Sequence, residues 1–392
     1  MTTTNLLRKG GSLWADRRRF VKAAGAVGAL GGLSSLGRRG FTLDPITPAQ
    51  AQPEKPVDHK TFELGSARLQ SGVDFHGARV SYKTYGQLSA DKSNVVVCPS
   101  AYGSTHQDVD WLTSAGRVLD PSRYFIVSVN MLGNGLSSSP SNAAPPFDGR
   151  RYPRVTLADN VRMQHRLVTE LFGVQKIALV YGWSMGGQQA YHWGALFPDM
   201  VERICVVCGS ARTSVNNLVF LAGIEAALKA DPSWQDGWFA APPERGLKAF
   251  ARVYAGWVVS PAFYRQELYK AVGFPTLEDF LVGAQERYWL QHDANDLLAQ
   301  LWTWQRADIS DNEMYRGDLP KALRAIKARA LVMPSETDRY FTVEDNALEM
   351  PHLPRGELRP VPSILGHLAG SQYGTPNDAE FLARGVRGLL SA

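Results

Sequence analysis

The hydrophobic pattern of the chain changes close to residue 90. Before that point, "TFELGSARLQ" and "ARVSYKTYGQL" alternate apolar and polar positions, which predicts two antiparallel strands around a glycine-containing turn. After it come five short runs without alternation, namely "NVVVCPS", "YFIVSVN", "KIALVYG", "RICVVCGS" and "RALVMPS". Short apolar runs rich in valine and isoleucine are typical of parallel strands that are covered on both faces.

Helical patterns fall between several of these runs, notably in "TLADNVRMQHRLVTELFG" and "MGGQQAYHWGALFP". Repeated strand–helix–strand units predict an α/β fold with a mostly parallel central sheet and flanking helices. The alternation stops between residues 213 and 323, where long aromatic-rich helical runs take over. We therefore predict a core formed by 52–212 and 324–392, with 213–323 as a helical lid over the carboxyl edge of the sheet.

The first 51 residues have a character of their own. "DRRRFVKAAGAVGALGGLSSLG" places consecutive arginines before a Gly/Ala-rich apolar run, and it resembles a twin-arginine export signal, which the export machinery reads as an address. "AQA" at 49–51 predicts cleavage before Gln52. The run at 23–37 is shorter than the ~20 residues of a spanning helix, which disfavours a permanent membrane anchor. We expect a periplasmic or secreted protein; a disordered basic tail, or an anchor if cleavage fails, are the alternatives.

Charge and cysteine usage exclude several classes of protein. The isoelectric point near 9.0 comes from the leader. Residues 1–51 hold eight of the 42 basic and two of the 37 acidic residues, so the rest of the chain has 34 basic and 35 acidic residues. A chain without excess positive charge gives no reason to expect a nucleic-acid partner. The three cysteines, Cys98, Cys205 and Cys208, form no disulfide framework and are predicted to be small core residues. No spacing implies a metal or an organic cofactor.

The stretch "YGWSMGGQQAYHWG" carries the strongest chemical signal. Ser184 stands between Gly182 and Gly186, directly after an apolar run and before a helical pattern. This is the strand–turn–helix context of a nucleophile elbow, in which a Cβ at either flanking position would crowd the turn. We predict Ser184 as a nucleophile, against the alternative of an ordinary glycine-rich turn.

A serine nucleophile needs a base and an acid that orients the base. In this type of fold the chain order is serine, acid, histidine. Asp338 ends "RALVMPSETD" and His367 ends "LRPVPSILGH", each just past a predicted strand, so both are expected at the sheet edge that carries Ser184. A turn former at 338 and a capping histidine at 367 are the structural alternatives. Glu336 and Asp345 remain as other candidate acids.

The oxyanion of a tetrahedral intermediate needs two N–H donors. We predict the backbone of Met185 as one of them, and that of Ala101 or Tyr102, in "SAYGSTH", as the other. His106 in the same loop either shapes the site or makes a surface hydrogen bond.

Several segments, in order, resemble the homoserine O-acetyltransferase group of α/β-hydrolase-fold enzymes. They are "TYGQLSADKSNVVVCPSAYGSTH", "GWSMGGQQA", "GSARTSVNNLVF", "DPSWQDGW" and "HDAND". The resemblance covers more than three quarters of the chain and implies an acyl-enzyme on Ser184, with acetyl-CoA as donor and homoserine as acceptor. It also implies a homodimer through the lid and a substrate-carboxylate role for Arg252 of "FARVYAG", for which an ion pair within the lid is the alternative.

The chain departs from that group at informative positions. Trp183 stands where the group has glycine, adding bulk beside the nucleophile and the substrate, and Val259 stands where a tyrosine would help to hold homoserine. "CPSAYG" replaces "CHALTG", and "GHLAG" departs from a "GHDAF"-like ending. With the export signal, these departures favour an exported serine hydrolase that acts on a small or medium ester. A homoserine O-acetyltransferase and a non-catalytic binding protein of the same fold remain as alternatives.

Overall fold

A computed structural model describes residues 58–391 of the chain, and ten strands lie within them. They are β1 (Lys60–Arg68), β2 (Asp74–Tyr85), β3 (Val95–Pro99), β4 (Phe125–Val129), β5 (Leu179–Trp183), β6 (Arg203–Val207), β7 (Trp234–Gln235), β8 (Trp238–Phe239), β9 (Arg329–Met333) and β10 (Gly356–Leu358). The predicted leader, 1–51, lies outside the described residues.

The α-helices of the described part are mostly short. They are α1 (Leu157–Arg166), α2 (Met185–Leu196), α3 (Val215–Lys229), α4 (Glu244–Val258), α5 (Pro261–Arg265), α6 (Leu268–Ala271), α7 (Leu277–Phe280), α8 (Arg287–Trp289), α9 (Ala294–Gln305), α10 (Leu319–Ala325), α11 (Val343–Glu349) and α12 (Pro376–Ser391). Tighter or wider helical turns cover His106–Leu112, Gly149–Arg151, Leu167–Leu171, Leu281–Glu286, Met350–His352 and Gly366–Gly370. Among residues 58–391, no helix is both long and apolar enough to span a bilayer.

Eight strands form one sheet in the order β1-β2-β4-β3-β5-β6-β9-β10. β1 and β2 pair antiparallel, β2 pairs antiparallel with β4, and every pair from β4 to β10 is parallel. All five residues of both β3 and β4 are buried, as expected of strands covered on both faces. The predicted α/β-hydrolase architecture, with a mostly parallel sheet flanked by helices, is confirmed.

The last strand is shorter than the sequence pattern suggests. β10 ends at Leu358, and only an isolated parallel bridge between Ser335 and Val361 continues the pairing. Pro360 and Pro362 explain the early end, because proline has no N–H to donate to a neighbouring strand. His367 therefore lies on a separate helical turn, Gly366–Gly370.

The segment between β6 and β9, two strands that are neighbours in the sheet, holds helices α3 to α10 and the small β7–β8 hairpin. We call its residues 213–323 the lid. Lid side chains share one buried apolar cluster with Tyr102, Met185 and Tyr340. These three residues follow the carboxyl ends of β3, β5 and β9, so the lid packs on the edge of the sheet where the candidate site lies.

Candidate active site

Ser184 occupies a strained corner between β5 and α2. Its backbone has φ 58° and ψ −128°, a region that side-chain-bearing residues rarely adopt. A Cβ added at Gly182 would stand 2.0 Å from the carbonyl oxygen of Gly186, and one at Gly186 would stand 2.5 Å from that of Pro99. Backbone passes too close at both positions for any side chain, so the glycines make the turn possible.

His367 and Asp338 form a buried pair. The imidazole Nδ1 lies 2.7 Å from Asp338 Oδ2, while Oδ1 of the same carboxylate accepts the backbone N–H groups of Tyr340 and Phe341, both at 3.1 Å. Because a carboxylate can only accept, Nδ1 carries the proton and Nε2 keeps its lone pair. Nε2 is buried and has no hydrogen-bond partner among the described residues, so it is available as a base.

Trp183 connects the nucleophile's strand to the loop of the base. Its indole Nε1–H donates to the backbone carbonyl of His367 at 3.2 Å, and the two rings lie 4.9 Å apart. Since Ser184 is the next residue, this contact brings the serine and the histidine to one place. Tyr340 and Phe341 pack on the imidazole at ring distances of 4.4 and 5.6 Å, and Ser184 itself is only 3% exposed.

The backbone of the loop after β3 distinguishes the two candidate oxyanion donors. The N–H of Ala101 already donates to Ser104 Oγ at 2.8 Å. The N–H groups of Tyr102 and Met185 have no acceptor among residues 58–391. Tyr102 and Met185 are therefore the donors that remain free for a developing negative charge.

Lid residues that the sequence analysis did not select hold this loop. The carbonyl of Gly103 accepts a hydrogen bond from the Tyr288 hydroxyl at 2.6 Å, and His292 Nε2 lies 2.9 Å from the same oxygen. The N–H of Gly103 donates to Gln300 Oε1 at 3.1 Å. The Tyr102 hydroxyl donates to the backbone carbonyl of Leu297 in the lid. In the sequence, the "HDAND" segment contains His292, but nothing in this segment indicates that His292 contacts Gly103.

His106 in this loop is buried, 2% exposed. Its Nδ1 accepts from the Asn130 amide at 3.0 Å, and its Nε2 lies 2.8 Å from Asp58 Oδ1. The histidine thus ties the loop to the beginning of the described chain, and no contact links it to Ser184 or His367.

Arg252 is engaged within the lid. Its guanidinium donates to Glu286 at 2.6 Å and to Glu278 at 3.1 Å, and its side chain is 42% exposed. Two carboxylates already neutralise this arginine and raise its pKa. Arg252 thus forms the lid ion pair that the sequence left open as the alternative, and its role toward a substrate carboxylate stays a prediction.

Val259 lies beside the loop of the base. It is fully buried, and a Cβ added at Gly366 would stand 2.9 Å from its Cα. The position thus adjoins His367, but its side chain has no hydroxyl or other polar atom.

The other candidate acids are not placed to orient His367. Glu336 is exposed, whereas Asp345 stands in the first turn of α11, where its N–H donates to Thr342. No hydrogen bond joins either carboxylate to the imidazole among the described residues. Asp338 alone fills that position.

Two groups of side chains have ligand atoms close enough for a metal ion. In the first, Cys208 lies within 4.8 Å of Asp338 and His367, but burial and the Asp338 carboxylate raise the pKa of the thiol, so it is a poor thiolate ligand. The second group is Asp58 with His59 and His106. The Lys83 ammonium lies 3.0 Å from the Asp58 carboxylate and already occupies it as a counter-ion. The chemistry of both groups argues against a bound metal ion. All three cysteines are buried and form no disulfide, as small core residues would.

Comparison with known proteins agrees with this geometry. A family model described as alpha/beta hydrolase fold matches residues 94–369. An ethyl acetate hydrolase of Pseudomonas veronii is 39% identical over 333 residues, covering 83% of this chain and 93% of that protein. A homoserine O-acetyltransferase of Caulobacter vibrioides is 32% identical over 335 residues, covering 78% and 85%.

A solved structure of the acetyl esterase MekB is similar to the whole described region. It superposes with a TM-score of 0.82 at 37% identity, covering 85% of this chain and 97% of that one. The predicted likeness to homoserine O-acetyltransferases is thereby confirmed, and it extends to esterases. The chain belongs to the alpha/beta hydrolase fold family and is an enzyme of its hydrolase or acyltransferase class.

Proposed function

We propose that this protein is an exported serine esterase that hydrolyses small acyl esters through an acyl-enzyme on Ser184. The observation that carries the proposal is the buried Asp338–His367 pair, whose Nε2 is unpaired beside the strained elbow. A nucleophile, a base and an orienting acid within one buried site are what acyl transfer requires.

In the first half of the reaction, Ser184 Oγ attacks the ester carbonyl carbon and His367 Nε2 takes the hydroxyl proton. The free N–H groups of Met185 and Tyr102 stabilise the oxyanion. Collapse of the intermediate breaks the bond to the alcohol oxygen, which leaves with the proton from Nε2. Water then attacks the acyl-enzyme and gives a proton to Nε2. Collapse of the second intermediate breaks the bond between the acyl carbon and Ser184 Oγ, Nε2 returns the proton to Oγ, and a carboxylic acid and free Ser184 result.

The walls of the site favour a small acyl group. Ser184 is almost completely buried, and the rings of Trp183, Tyr340 and Phe341 crowd the imidazole. The relatives are consistent with this size, since one is an ethyl acetate hydrolase and another an acetyl esterase. We infer that acetyl and similarly short esters are the substrates.

Three positions favour water over homoserine as acyl acceptor. Val259 has no hydroxyl, Arg252 is held by two glutamates, and Trp183 fills space beside the nucleophile. An amino-acid acceptor whose polar groups stay unpaired in a buried site loses about 1–3 kcal/mol per group. The second candidate, a homoserine O-acetyltransferase, is supported by relatives of 32% identity.

The deciding experiment measures p-nitrophenyl esters of increasing acyl length, with and without acetyl-CoA and homoserine, and identifies the products by mass spectrometry. We expect the highest kcat/KM for acetate, with homoserine changing neither rate nor products. O-acetylhomoserine formed faster than the ester is hydrolysed would make the transferase the correct function. A non-catalytic protein would fail to react with a fluorophosphonate, whereas the esterase should be labelled at Ser184.

Export is proposed from the leader alone. Replacing Arg17, Arg18 and Arg19 by lysine should leave full-length precursor in the cytoplasm, because the export receptor reads the arginine pair. Wild-type protein that remains full-length in the cytoplasm would overturn the export proposal without affecting the esterase chemistry.

A homodimer through the lid is also proposed. The outer face of α3 and its neighbour α4 exposes Val215, Val219 and Val253, to 78%, 62% and 36%; contiguous exposed apolar side chains commonly mark an interface. Light scattering should show that the wild-type protein is a dimer and that the Val219→Glu variant is a monomer. Leu348→Glu, at an exposed apolar residue outside the lid, is the control and should remain dimeric. A monomeric wild-type protein would contradict this.

A further inference from the structure

A cavity of about 170 Å³ lies between the core and the lid, and none of the residues proposed for ester hydrolysis lines it. Its walls come from the core loop before α1, from α3 and α9, and from the β7–β8 hairpin. A single water needs only ~10–15 Å³ of such volume. The cavity is therefore large enough for an organic ligand.

The charged side chains of this cavity are mostly basic. Arg150, Arg154 and Lys229 line it together with one acid, Glu225. Glu225 is already satisfied, because it forms an ion pair with Lys229 and accepts a hydrogen bond from Gln305 at 2.7 Å. Neither Arg150 nor Arg154 forms an ion pair with a carboxylate among residues 58–391, although Glu225 also attracts Arg154. Three basic side chains thus face a single acidic one across the cavity.

Trp302, in the wall of the cavity, contacts Arg154 of the lining and also Arg306, which does not line the cavity. The guanidinium of Arg154 lies 5.4 Å from the centroid of its ring, and that of Arg306 lies 4.3 Å away. The stacking holds the flat groups and leaves their N–H edges without carboxylate partners. Burial and the neighbouring Arg306 lower the pKa of Arg154, which shows that the two cations repel. A bound anion would relieve this repulsion.

The remaining walls are aromatic and rigid. Trp234 and Trp238 are half-buried in the hairpin, and Trp238 packs against the loop, 3.6 Å from where a Cβ of Gly149 would stand. Asn295 clamps the hairpin with two hydrogen bonds to the backbone of Phe239, both at 3.0 Å. The Trp234 ring is covered by the Lys229 ammonium at 5.0 Å and by Phe239 at 4.7 Å, so Trp238 is the indole of the hairpin that suits the flat face of a ligand ring.

We propose that this cavity binds a carboxylate attached to a six-membered ring. The carboxylate would take the unpaired edges of Arg154 and Arg150, where a planar guanidinium offers two parallel donors, and the ring would lie against Trp238. Acidic sugars and aromatic acids share this chemistry. The proposal does not depend on what Ser184 does.

Isothermal titration calorimetry of the folded protein at constant ionic strength tests this proposal. The two ring acids are glucuronate and benzoate; glucose supplies a ring without charge, and acetate and inorganic phosphate supply charge without a ring. We expect saturable binding of at least one ring acid, at least tenfold tighter than that of glucose, acetate or phosphate. Glucuronate binding would identify an acidic sugar, and benzoate binding an aromatic acid. Equal binding of acetate or phosphate, or no binding of either ring acid, would overturn the proposal.

Variants locate the ligand. Arg154→Gln should weaken binding at least tenfold, and so should Arg150→Gln, which serves if the first variant does not fold. Arg151→Gln is the matched control, since Arg151 is exposed, pairs with Asp148 and does not line the cavity. Hydrolysis of p-nitrophenyl acetate should be unchanged in all three. Unaltered ring-acid binding by the folded Arg154 and Arg150 variants would place the ligand elsewhere and refute the site.

Discussion

The indole N–H of Trp183 donates to the backbone carbonyl of His367 at 3.2 Å. The residue before the proposed nucleophile is thereby bonded to the proposed base, which follows it 184 positions later in the chain. A Cβ at Gly370 would stand 2.6 Å from the same indole, so the helical turn of His367 is packed tightly against this side chain. Trp183 therefore positions the base as well as occupying space beside Ser184.

Trp183→Phe should separate these two roles. Phenylalanine keeps most of the ring but removes the donor, and a net hydrogen bond contributes about 0.5–1.5 kcal/mol. We expect kcat for p-nitrophenyl acetate to fall about 2- to 10-fold with little change in KM. Trp238→Phe, at a half-buried tryptophan of the β7–β8 hairpin, is the control. Equal rates for wild type and Trp183→Phe would mean that the contact does not position the base.

Ser184→Ala should lower kcat by about a million-fold, since residues of such a triad act as a unit. The variant must keep its circular dichroism spectrum and melting temperature. Ser114→Ala, at an exposed serine, should be unaffected. Full activity in folded Ser184→Ala would end the proposal of a serine nucleophile.

Asp338→Asn should lower kcat about ten-thousand-fold, because an amide beside Nδ1 stabilises the wrong tautomer of the imidazole. The asparagine oxygen can still accept the N–H groups of Tyr340 and Phe341, so the fold should survive. Glu336→Gln tests the other candidate acid and should stay within about twofold of wild type. A reversed order of the two variants would move the orienting role to Glu336.

Gln300→Leu should disturb the loop after β3 from the lid side. Gln300 accepts the Gly103 N–H at 3.1 Å and donates to the Gly133 carbonyl at 2.8 Å; leaving buried backbone groups unpaired costs about 1–3 kcal/mol. We expect kcat/KM to fall about 10- to 100-fold. Gln305→Leu, on the same helix but bonded to Glu225, should leave kcat/KM unchanged, and a similar loss in both variants would point to general damage of α9.

Glu349 should make stability depend on pH. Burial raises its pKa to about 7 from an ordinary 4.5. Between those values the native state holds a proton that the unfolded state has released. The contribution of Glu349 to the free energy of unfolding is therefore largest below pH 4.5. It falls by about 1–3 kcal/mol as the pH rises to 7.

Urea unfolding at pH 5 and pH 7.5 measures this effect. Glu349→Gln should reduce the difference between the two pH values, whereas Glu344→Gln, exposed on the same helix, should not. An identical pH dependence in wild type and Glu349→Gln would show that Glu349 does not titrate in this range.

Local patterns predicted most of the fold. The uninterrupted apolar runs became parallel strands because burial on both faces demands apolar residues at every position. The boundaries were less predictable: β2 begins four residues before the quoted alternation, and β10 ends early at the prolines. The tiny β7–β8 hairpin has no periodic signal at all.

The sequence by itself determined the elbow and the histidine, and it named Asp338 as the first of three candidate acids; the structure then selected Asp338. Parallel strands bring their carboxyl ends to one edge, so a serine, an aspartate and a histidine after three such strands must meet there. Only the tertiary structure decided what surrounds them: that Tyr102 rather than Ala101 keeps a free N–H, that Gln300 and His292 reach from the lid to Gly103, and that Arg252 pairs with Glu278 and Glu286. These contacts join residues up to about two hundred positions apart. Which residues meet depends on how the lid helices lie on the sheet. The hydrophobic periodicity within the lid or within the core does not specify that arrangement.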